Sequence, residues 1–267
     1  MANINIASGS PDRFGFEWTV YNKILPIYEE QFKRWTTLIP KEEWKDKVFL
    51  DVGCGTGRNS YWPLLYGAKE AVAIDINEGS LQSARKNLSA FTNAHIQSIS
   101  AYDIPYKNKF DIVFSIGVIH HLEYPEQALY KLVEATKPGG TVLIWVYGYE
   151  NNEWIVNYFN PIRKFLFSKL PINITHFLSI IPTTFLYLLI KMGLGKIEYF
   201  KLIKQFSFWH LRSIVFDQML PHIANYWKQE EVHQLMNQAG LKEIKLHQVN
   251  GMSWCAIGKK DNSCNLE

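Results

Sequence analysis

The sequence DVGCGTG at residues 51–57 decides the fold of this chain. It overlaps KVFLDV, residues 47–52, a short apolar and β-branched run that predicts a buried parallel strand. Glycines after a strand allow positive φ and let a ligand approach the backbone closely, and the helix that follows presents unpaired N–H groups. A glycine-rich turn of this kind, by itself, fits any nucleotide.

The spacing of the glycines discriminates between ligands. A dinucleotide-binding fingerprint needs G-x-G-x-x-G, but the third residue after Gly55 is Arg58, and Gly57 comes two residues after Gly55. The resulting G-x-G-x-G favours a zwitterionic amino-acid group over a pyrophosphate. We expect Asp51, just ahead of the loop, to face an ammonium group and to repel phosphate. The pattern therefore disfavours an NAD-linked oxidoreductase.

A second carboxylate follows the next predicted strand. Asp75 comes directly after EAVAI, residues 70–74, and about twenty residues beyond the loop. A carboxylate at this position can accept charge-assisted hydrogen bonds from both ribose hydroxyls. Ile76 beside it is expected to pack on an adenine face. The alternative is that Asp75 only caps the helix that starts near Glu78.

Strands and helices alternate along the middle of the chain. Strands are predicted at 70–74, 94–99, 110–116 and 141–146, and helices at 78–88 and 125–136. Pro138-Gly139-Gly140 predicts a turn before the strand at 141–146. Near the end, Asn250-Gly251 predicts a two-residue loop that joins two antiparallel strands. The pattern predicts an α/β fold of Rossmann-like type, an open and mostly parallel sheet with helices on both faces.

The same pattern divides the chain into three regions. Residues 1–46 are predicted to form an aromatic-rich N-terminal helical prelude, and residues 47–150 and 228–260 to form the Rossmann-like core. Residues 151–227 lack strand alternation and are rich in aromatic and apolar residues. We expect them to form a helical insertion that covers the ligand edge of the sheet.

Composition disfavours several kinds of site. The formal net charge is only +3, and there is neither a basic block nor the alternation of aromatic and basic residues that tracks phosphates, so we expect no nucleic-acid partner. The three cysteines are widely separated and show no metal-binding spacing, so we expect no metal site. The first residues lack a signal-peptide pattern, which favours a cytoplasmic protein.

Residues 170–190 complicate the cytoplasmic assignment, because the run contains no Lys, Arg, Asp or Glu. A bilayer span needs about 20 apolar residues, which this run reaches. Pro171 and Pro182, however, are expected to divide it into two short helices, and polar residues dilute it. A helical pair that covers the site is the preferred interpretation. Peripheral contact with a membrane is the first alternative and a true span the second.

Taken together, DVGCGTG, AIDIN (residues 73–77), FDIVFSIGVIHHL (110–122) and KPGG (137–140) resemble class I S-adenosylmethionine-dependent methyltransferases. The resemblance covers residues 47–148 and the closing hairpin, and the flanking segments resemble a bacterial small-molecule subgroup of type 11/12. It implies a seven-stranded sheet with an antiparallel last strand. It also implies S-adenosyl-L-methionine as cofactor, S-adenosyl-L-homocysteine as product, and in-line transfer of a methyl group to O or N in preference to C.

The resemblance further implies a set of cofactor-binding positions at one edge of the sheet. The glycines would lie along the methionine portion, and the positions after the fourth strand would approach the sulfonium. Ser100 departs from the Asp that such enzymes often carry at this place, which leaves its contact with the adenine open. The predicted cofactor-binding residues are Asp51, Gly53, Gly55, Gly57, Asp75, Ile76, Ser100, Ala101, Ser115 and Gly117.

His120 and His121 follow the fourth predicted strand, at the edge where open α/β sheets bind ligands. They are the candidate general bases; a role in orienting cofactor or substrate, or merely in starting a helix, remains open. The charge-poor, aromatic insertion favours a small or lipid-like acceptor. The alternative is a non-catalytic S-adenosylmethionine-binding protein, or one that associates with a membrane surface. The oligomeric state stays open.

Overall fold

The structure is a computed structural model that describes residues 11–193 and 203–262. Its centre is a seven-stranded sheet in the order β3-β2-β1-β4-β5-β7-β6. Strand β7 runs antiparallel to both of its neighbours, and the remaining pairings are parallel. The predicted α/β class, with an antiparallel last strand, is therefore confirmed. The strands are β1 (Val48–Val52), β2 (Glu70–Asp75), β3 (Ala94–Ser98), β4 (Phe110–Ile116), β5 (Thr136–Tyr147), β6 (Leu241–Val249) and β7 (Ser253–Lys260).

The central strands are buried on both faces, as their nearly continuous apolar sequences predict. Successive side chains of β1 alternate between two clusters: Phe49 packs among aromatic rings on one face, whereas Leu50 and Val52 pack with aliphatic residues on the other. The strand order reverses between β1 and β4, and ligands of open α/β sheets bind outside the carboxyl ends of the strands at such a reversal.

Helices cover both faces and the carboxyl edge of the sheet. They are α1 (Pro11–Val20), α2 (Ile27–Trp35), α3 (Arg58–Leu65), α4 (Glu78–Asn87), α5 (Pro125–Ala135), α6 (Asn160–Ile162), α7 (Ile172–Leu178), α8 (Ile180–Lys191), α9 (Phe208–Met219) and α10 (Gln229–Gln238). Wide π turns, Ile155–Phe159 and Arg163–Phe167, flank α6. The described part of residues 151–223 contains helices and no strand, while the three-region division of the chain stays a prediction.

Two local predictions need correction. The turn predicted at Pro138-Gly139-Gly140 is part of β5, which pairs with Phe110 already at Thr136. Thr141 then pairs with Ile112, so the intervening residues of β5 bulge out opposite a single residue of β4. The Nζ of Lys137 donates to Asp111 Oδ1 at 2.6 Å and anchors this bulge.

The closing hairpin is present, but its loop is longer than predicted. Asn250 and Gly251 both have positive φ, of 53° and 70°, as a tight hairpin turn requires. Val249 pairs with Ser253, so the loop also includes Met252, whose N–H donates to the Val249 carbonyl at 3.1 Å.

Arg13 joins the N-terminal helix to the insertion. Its guanidinium donates to the carbonyl oxygens of Leu220 at 3.0 Å, Leu170 at 3.0 Å and Phe167 at 2.8 Å. One planar group thus satisfies carbonyls from three separate turns, which fixes α1 against the insertion. These two regions together close the carboxyl edge of the sheet.

Trp44 is the central side chain of the aromatic cluster and carries a stability prediction. It is fully buried, with its ring 5.5 Å from that of Phe114 and 5.9 Å from that of Phe49. Trp44→Ala is expected to lower the free energy of unfolding by about 3–5 kcal/mol in urea denaturation, because it removes a large buried ring and leaves a cavity. The exposed Leu65→Ala, as control, should change it by less than about 0.5 kcal/mol. A loss below about 1 kcal/mol for Trp44→Ala would contradict this packing.

Candidate active site

A cavity of about 300 Å³ lies at the carboxyl edge of the sheet, between the glycine loop, α1 and α9. Its position is the strand reversal between β1 and β4. Eight of the residues predicted from the sequence line this cavity together: Gly53, Gly55, Asp75, Ile76, Ser100, Ala101, Gly117 and His121. The structure thus brings most of the predicted site to one place, although the role of each residue stays a prediction.

The glycine loop has the conformation that its glycines allow. Gly53, Gly55 and Gly57 have φ values of +77°, +52° and +75°, which L side chains rarely adopt. A Cβ on Gly53 would lie 2.3 Å from Cγ2 of Val118, and one on Gly55 would lie 3.3 Å from the indole Nε1 of Trp18. A side chain at Gly53 would therefore collide with Val118, and one at Gly55 would press on Trp18, so both positions need glycine.

Asp75 connects the glycine loop to β2. Its Oδ2 accepts a hydrogen bond from the Gly55 N–H at 2.9 Å, and its Oδ1 accepts one from the Asn77 N–H at 3.0 Å. Asn77, not Asp75, caps α4, because the Asn77 side chain accepts from the Ser80 N–H at 3.0 Å. The helix-capping alternative for Asp75 is therefore wrong. Burial raises the pKa of Asp75, against the lowering effect of these backbone donors.

Four predicted residues lie behind the cavity wall: Asp51, Gly57, Ser115 and His120. Asp51 is fully buried and accepts a hydrogen bond from Ser60 Oγ at 2.7 Å, so its carboxylate does not face the cavity as expected. The Ser115 hydroxyl donates to the Val52 carbonyl at 2.9 Å and links β4 to β1. Gly57 packs against Leu88 and begins α3. Direct contact of these three residues with a cavity ligand is not supported by the geometry.

The two candidate histidines differ in position. His120 is fully buried, with its ring centroid 3.9 Å from that of the tilted Tyr147 ring, and it lies behind the cavity wall, so its role as a base stays a prediction that the geometry does not support. His121 lines the cavity, and its Nδ1 donates to the Ile223 carbonyl at 2.8 Å, since a carbonyl oxygen can only accept. Its Nε2 is then the unprotonated nitrogen. Burial lowers the pKa of His121 to about 4, which keeps the ring neutral and weakly basic.

A pair of carboxyl groups in the cavity was missed by the sequence analysis. Glu17 on α1 and Asp217 on α9 share a hydrogen bond, and both line the cavity. The Tyr147 hydroxyl donates to Asp217 Oδ2 at 3.0 Å, and Gln218 Nε2 donates to that hydroxyl at 2.8 Å. Burial, and then the Asp217 carboxylate, raise the pKa of Glu17 well above its usual range. A hydrogen bond between two carboxyl groups needs a proton, so the pair retains one between them.

Arg58 is the second missed residue, and it supplies positive charge beside this carboxyl pair. Its guanidinium lies over the rings of Tyr28, Trp35 and Trp18, 4.7, 5.4 and 5.6 Å from their centroids. The aromatic residues of the N-terminal region were predicted, but the sequence gives no spacing signal that joins them to Arg58 or Glu17 to Asp217. Only the packing of α1 and α9 over the loop brings them together.

Comparison with known proteins identifies the central region. Residues 50–144 match the family described as "Methyltransferase domain". A protein of Synechococcus is 39% identical over 103 residues, which is 37% of this chain and 25% of that protein. The tRNA U34 carboxymethyltransferases of Ruthia magnifica and Vibrio cholerae are 36% and 32% identical over 115 and 127 residues. These alignments span 42% and 46% of this chain but only 36% and 39% of the two relatives.

Solved structures share the fold over most of the chain. A possible histamine N-methyltransferase of Thermotoga maritima has a TM-score of 0.56 at 17% identity and covers 94% of this chain and 100% of its own. Human N-acetylserotonin methyltransferase, solved with S-adenosylmethionine, has a TM-score of 0.56 at 12% identity and covers 94% and 56%. The resemblance found in the sequence is confirmed at the level of the domain: residues 50–144 match the methyltransferase-domain family, and the solved methyltransferases share the fold.

Within residues 11–193 and 203–262, no group of three or more His, Cys, Asp or Glu side chains is arranged to hold a metal ion.

The buried Asp51 yields a prediction about pH. Burial raises the pKa of Asp51 to about 7, so above its unfolded-state pKa the folded protein retains a proton that the unfolded chain releases. Stability from this group is complete below about pH 4 and is lost as the pH rises through 7, by up to ~4 kcal/mol. Asp51→Asn should therefore unfold at a higher temperature than the wild type at pH 8, with the difference shrinking toward pH 4. A difference that does not change with pH would contradict the buried, protonated carboxyl.

Proposed function

We propose that this chain, whose residues 50–144 form a methyltransferase domain of the class I fold, is an S-adenosylmethionine-dependent methyltransferase acting on a small or lipophilic acceptor. The observation that carries the proposal is the glycine loop with its positive φ values and with Asp75 bonded across it, at the edge of a cavity of about 300 Å³. The chain spans about a quarter to two fifths of the curated relatives it matches, so their whole-protein activities do not transfer directly.

The residues in the cavity fit S-adenosylmethionine. The exposed backbone of Gly53 and Gly55 suits the amino-acid portion, and the Asp75 carboxylate, with lone pairs beyond its two backbone partners, suits the ribose hydroxyls. Ile76 is partly exposed beside Asp75, where it would cover the adenine. The bound cofactor would supply an electrophilic methyl group on a sulfonium, so the protein mainly aligns the acceptor and excludes water.

The acceptor side of the cavity is aromatic. Five aromatic residues line it: Phe14 and Trp18 of α1, Trp35 of α2, and Trp145 and Tyr147 of β5. Apolar walls with a few convergent polar groups are typical of sites for small ligands. This composition favours a small or lipid-like acceptor and leaves O or N as the methylated atom.

Asp217 and His121 are the groups placed to receive a proton from the acceptor. Burial raises the pKa of Asp217, while hydrogen bonds from Tyr147 and Glu17 lower it. A carboxylate whose pKa lies above its usual range is a better base near neutral pH than an ordinary one, whereas His121 is a weaker base than an ordinary histidine. Asp217 is therefore the preferred general base for a hydroxyl acceptor.

A tRNA acceptor is the second candidate. It is favoured by the 36% identity over 115 residues to a relative named for tRNA U34 carboxymethylation. Against it stand the net charge of only +3 and the aromatic cavity wall. A binding protein without catalysis is the remaining alternative. We propose a cytoplasmic location in all three cases.

Cofactor binding is tested first by calorimetry. The wild type should bind S-adenosylmethionine and S-adenosylhomocysteine with micromolar Kd and should not bind NAD. Asp75→Ala should weaken both adenosyl ligands by about tenfold or more, because charge-assisted hydrogen bonds to the ribose are lost. Asp103→Ala, which removes an exposed carboxylate at the same edge, serves as control and should bind normally. Tight NAD binding, or unchanged affinity in folded Asp75→Ala, would refute the cofactor assignment.

The acceptor class is tested with S-adenosylmethionine that carries a labelled methyl group. The protein is incubated with separated lipid, small-metabolite and tRNA fractions of a cell extract. We expect label in the lipid or small-metabolite fraction, and at least about tenfold less label with Asp217→Asn, because the proton acceptor is lost. If ribonuclease releases the label, the acceptor is RNA. The methyltransferase activity would then stand, but the proposed small or lipid-like acceptor would be wrong. Binding without label in any fraction would favour the non-catalytic alternative.

A further inference from the structure

Over α6, α7 and α8, many of the large apolar side chains of the insertion face solvent, and several of its polar side chains face the protein. Single exposed apolar residues are ordinary, but a continuous set of this size marks an interaction surface. We call this set the apolar face. Its members, each 46–79% exposed, are Trp154, Tyr158, Ile162, Phe165, Leu166, Ile174, Phe177, Ile181, Phe185, Leu188 and Met192.

Helices α7 and α8 show the inversion from Ile174 to Leu188, whereas Ile190 near the end of α8 is buried in a small apolar cluster. Residues 174, 177, 181, 185 and 188 are spaced by three or four positions, so they share one side of the helix, and all are exposed. On the opposite side, Thr175, Ser179 and Thr183 are fully buried. A helix of a water-soluble protein normally buries its apolar stripe and exposes its polar one.

The turns around α6 repeat the same inversion. Trp154, Tyr158 and Ile162 are 58%, 72% and 50% exposed at a spacing of four residues. Asn160 and Arg163 are buried in the same turns, with Arg163 fully enclosed. Two consecutive helical segments therefore present apolar sides to solvent. Isolated exposed apolar residues, which are ordinary on protein surfaces, do not account for such a pattern.

The buried polar side is held in place by specific contacts. Arg212 of α9 donates from Nε to Ser179 Oγ at 3.1 Å and from Nη2 to the His176 carbonyl. The Thr183 hydroxyl donates to the Ser179 carbonyl at 2.6 Å. The Thr183 bond lies within the helical segment, whereas the two bonds from Arg212 join α7 and α8 to α9, so these helices cannot turn over to hide the apolar face without losing the Arg212 contacts.

The same contacts decide how the helices would meet a membrane. Residues Ile172–Lys191 are long and apolar enough to cross a bilayer, by length and composition. One side of this segment, however, packs on α9 through Arg212, which leaves only the other side for lipid. A helix with one apolar side and a protein-bound polar side lies in the membrane interface rather than across it.

The charges around the apolar face indicate which membrane it would meet. From Trp154 to Met192 the sequence contains no Asp or Glu, whereas Lys164, Lys169 and Lys191 are exposed beside the apolar residues. Basic residues next to an apolar, aromatic surface are attracted to anionic headgroups, by about 1 kcal/mol per residue near the membrane surface. A second copy of this chain would bring like charges together across the interface.

We propose that the apolar face binds the surface of an anionic phospholipid bilayer, with its aromatic and aliphatic side chains at the headgroup boundary and its lysines on the lipid phosphates. The interaction is peripheral and reversible, and it does not depend on the methyltransferase activity.

The proposal is tested by sedimentation with vesicles. The full chain should sediment with vesicles of phosphatidylglycerol and phosphatidylcholine, and at least about tenfold less with phosphatidylcholine alone or at high salt. The variant Phe177→Gln/Ile181→Gln/Phe185→Gln should lose at least about tenfold in vesicle affinity. Lys164→Gln/Lys169→Gln/Lys191→Gln should reduce both the affinity and its salt dependence. The control Leu65→Gln/Tyr130→Gln, which removes equally exposed apolar residues from α3 and α5, should bind vesicles normally.

The other outcomes are distinguishable. Wild-type protein that stays in the supernatant with anionic vesicles, or triple-Gln protein that sediments like the wild type, would overturn the proposal. So would a wild-type dimer without lipid that becomes monomeric in the triple-Gln variant, because the face would then belong to a second copy. S-adenosylmethionine affinity, measured in the same variant, should be unchanged. A parallel loss of that affinity would mean that the substitutions damage the fold and not a lipid contact.

Discussion

The structure depends on how the end of β1 is tied to the end of β2. The N–H groups of Gly53 and Cys54 both donate to the Ile74 carbonyl, at 2.8 and 2.9 Å, and the Gly55 N–H donates to Asp75. Three successive donors thus hold the loop against the neighbouring strand, and positive φ at the glycines makes this path accessible. With the loop fixed, its backbone forms one wall of the cavity, and α3 begins behind it.

Helices α1 and α4 pack directly against this loop at the carboxyl edge of the sheet. Trp18 of α1 lies against Gly55, and Asn87 of α4 donates to the Thr56 carbonyl at 2.9 Å. Arg13 then ties α1 to the insertion, whose helix α9 supplies Asp217. The N-terminal region and the insertion are far apart in sequence, but they form one cover over the aromatic cavity and its carboxyl pair.

The sequence predicted the parts of this arrangement that local chemistry determines. Glycine spacing located the loop, β-branched apolar runs located the parallel strands, and Asn250-Gly251 located the hairpin. The sequence could not show which of these residues face the cavity. Asp51 and Asp75 both lie at the carboxyl ends of their strands, but the Asp51 side chain is bonded to Ser60 behind the cavity wall, whereas Asp75 lines the cavity. The pairing of Glu17 with Asp217 was equally inaccessible, because it links positions 200 residues apart and depends on how helices pack. The turn predicted at KPGG was wrong because β5 already pairs with β4 at Thr136, so these residues form a bulge within the strand.

Helix α9 contacts both the cavity and the helices α7 and α8 that carry the apolar face. Its Asp217 lines the cavity, and its Arg212 holds the buried polar side of α7 and α8. In the run at 170–190, Thr175, Ser179 and Thr183 are fully buried, while the large apolar side chains that belong to the apolar face are exposed. A charge-poor composition predicted a cover over the site, and the helices do pack beside it on α9. Composition alone could not show that their most apolar side faces outward. Arg212 supports that orientation, because its guanidinium donates to the Ser179 hydroxyl and the His176 carbonyl on the inner side of these helices, while Arg13 binds the Phe167 and Leu170 carbonyls just before α7.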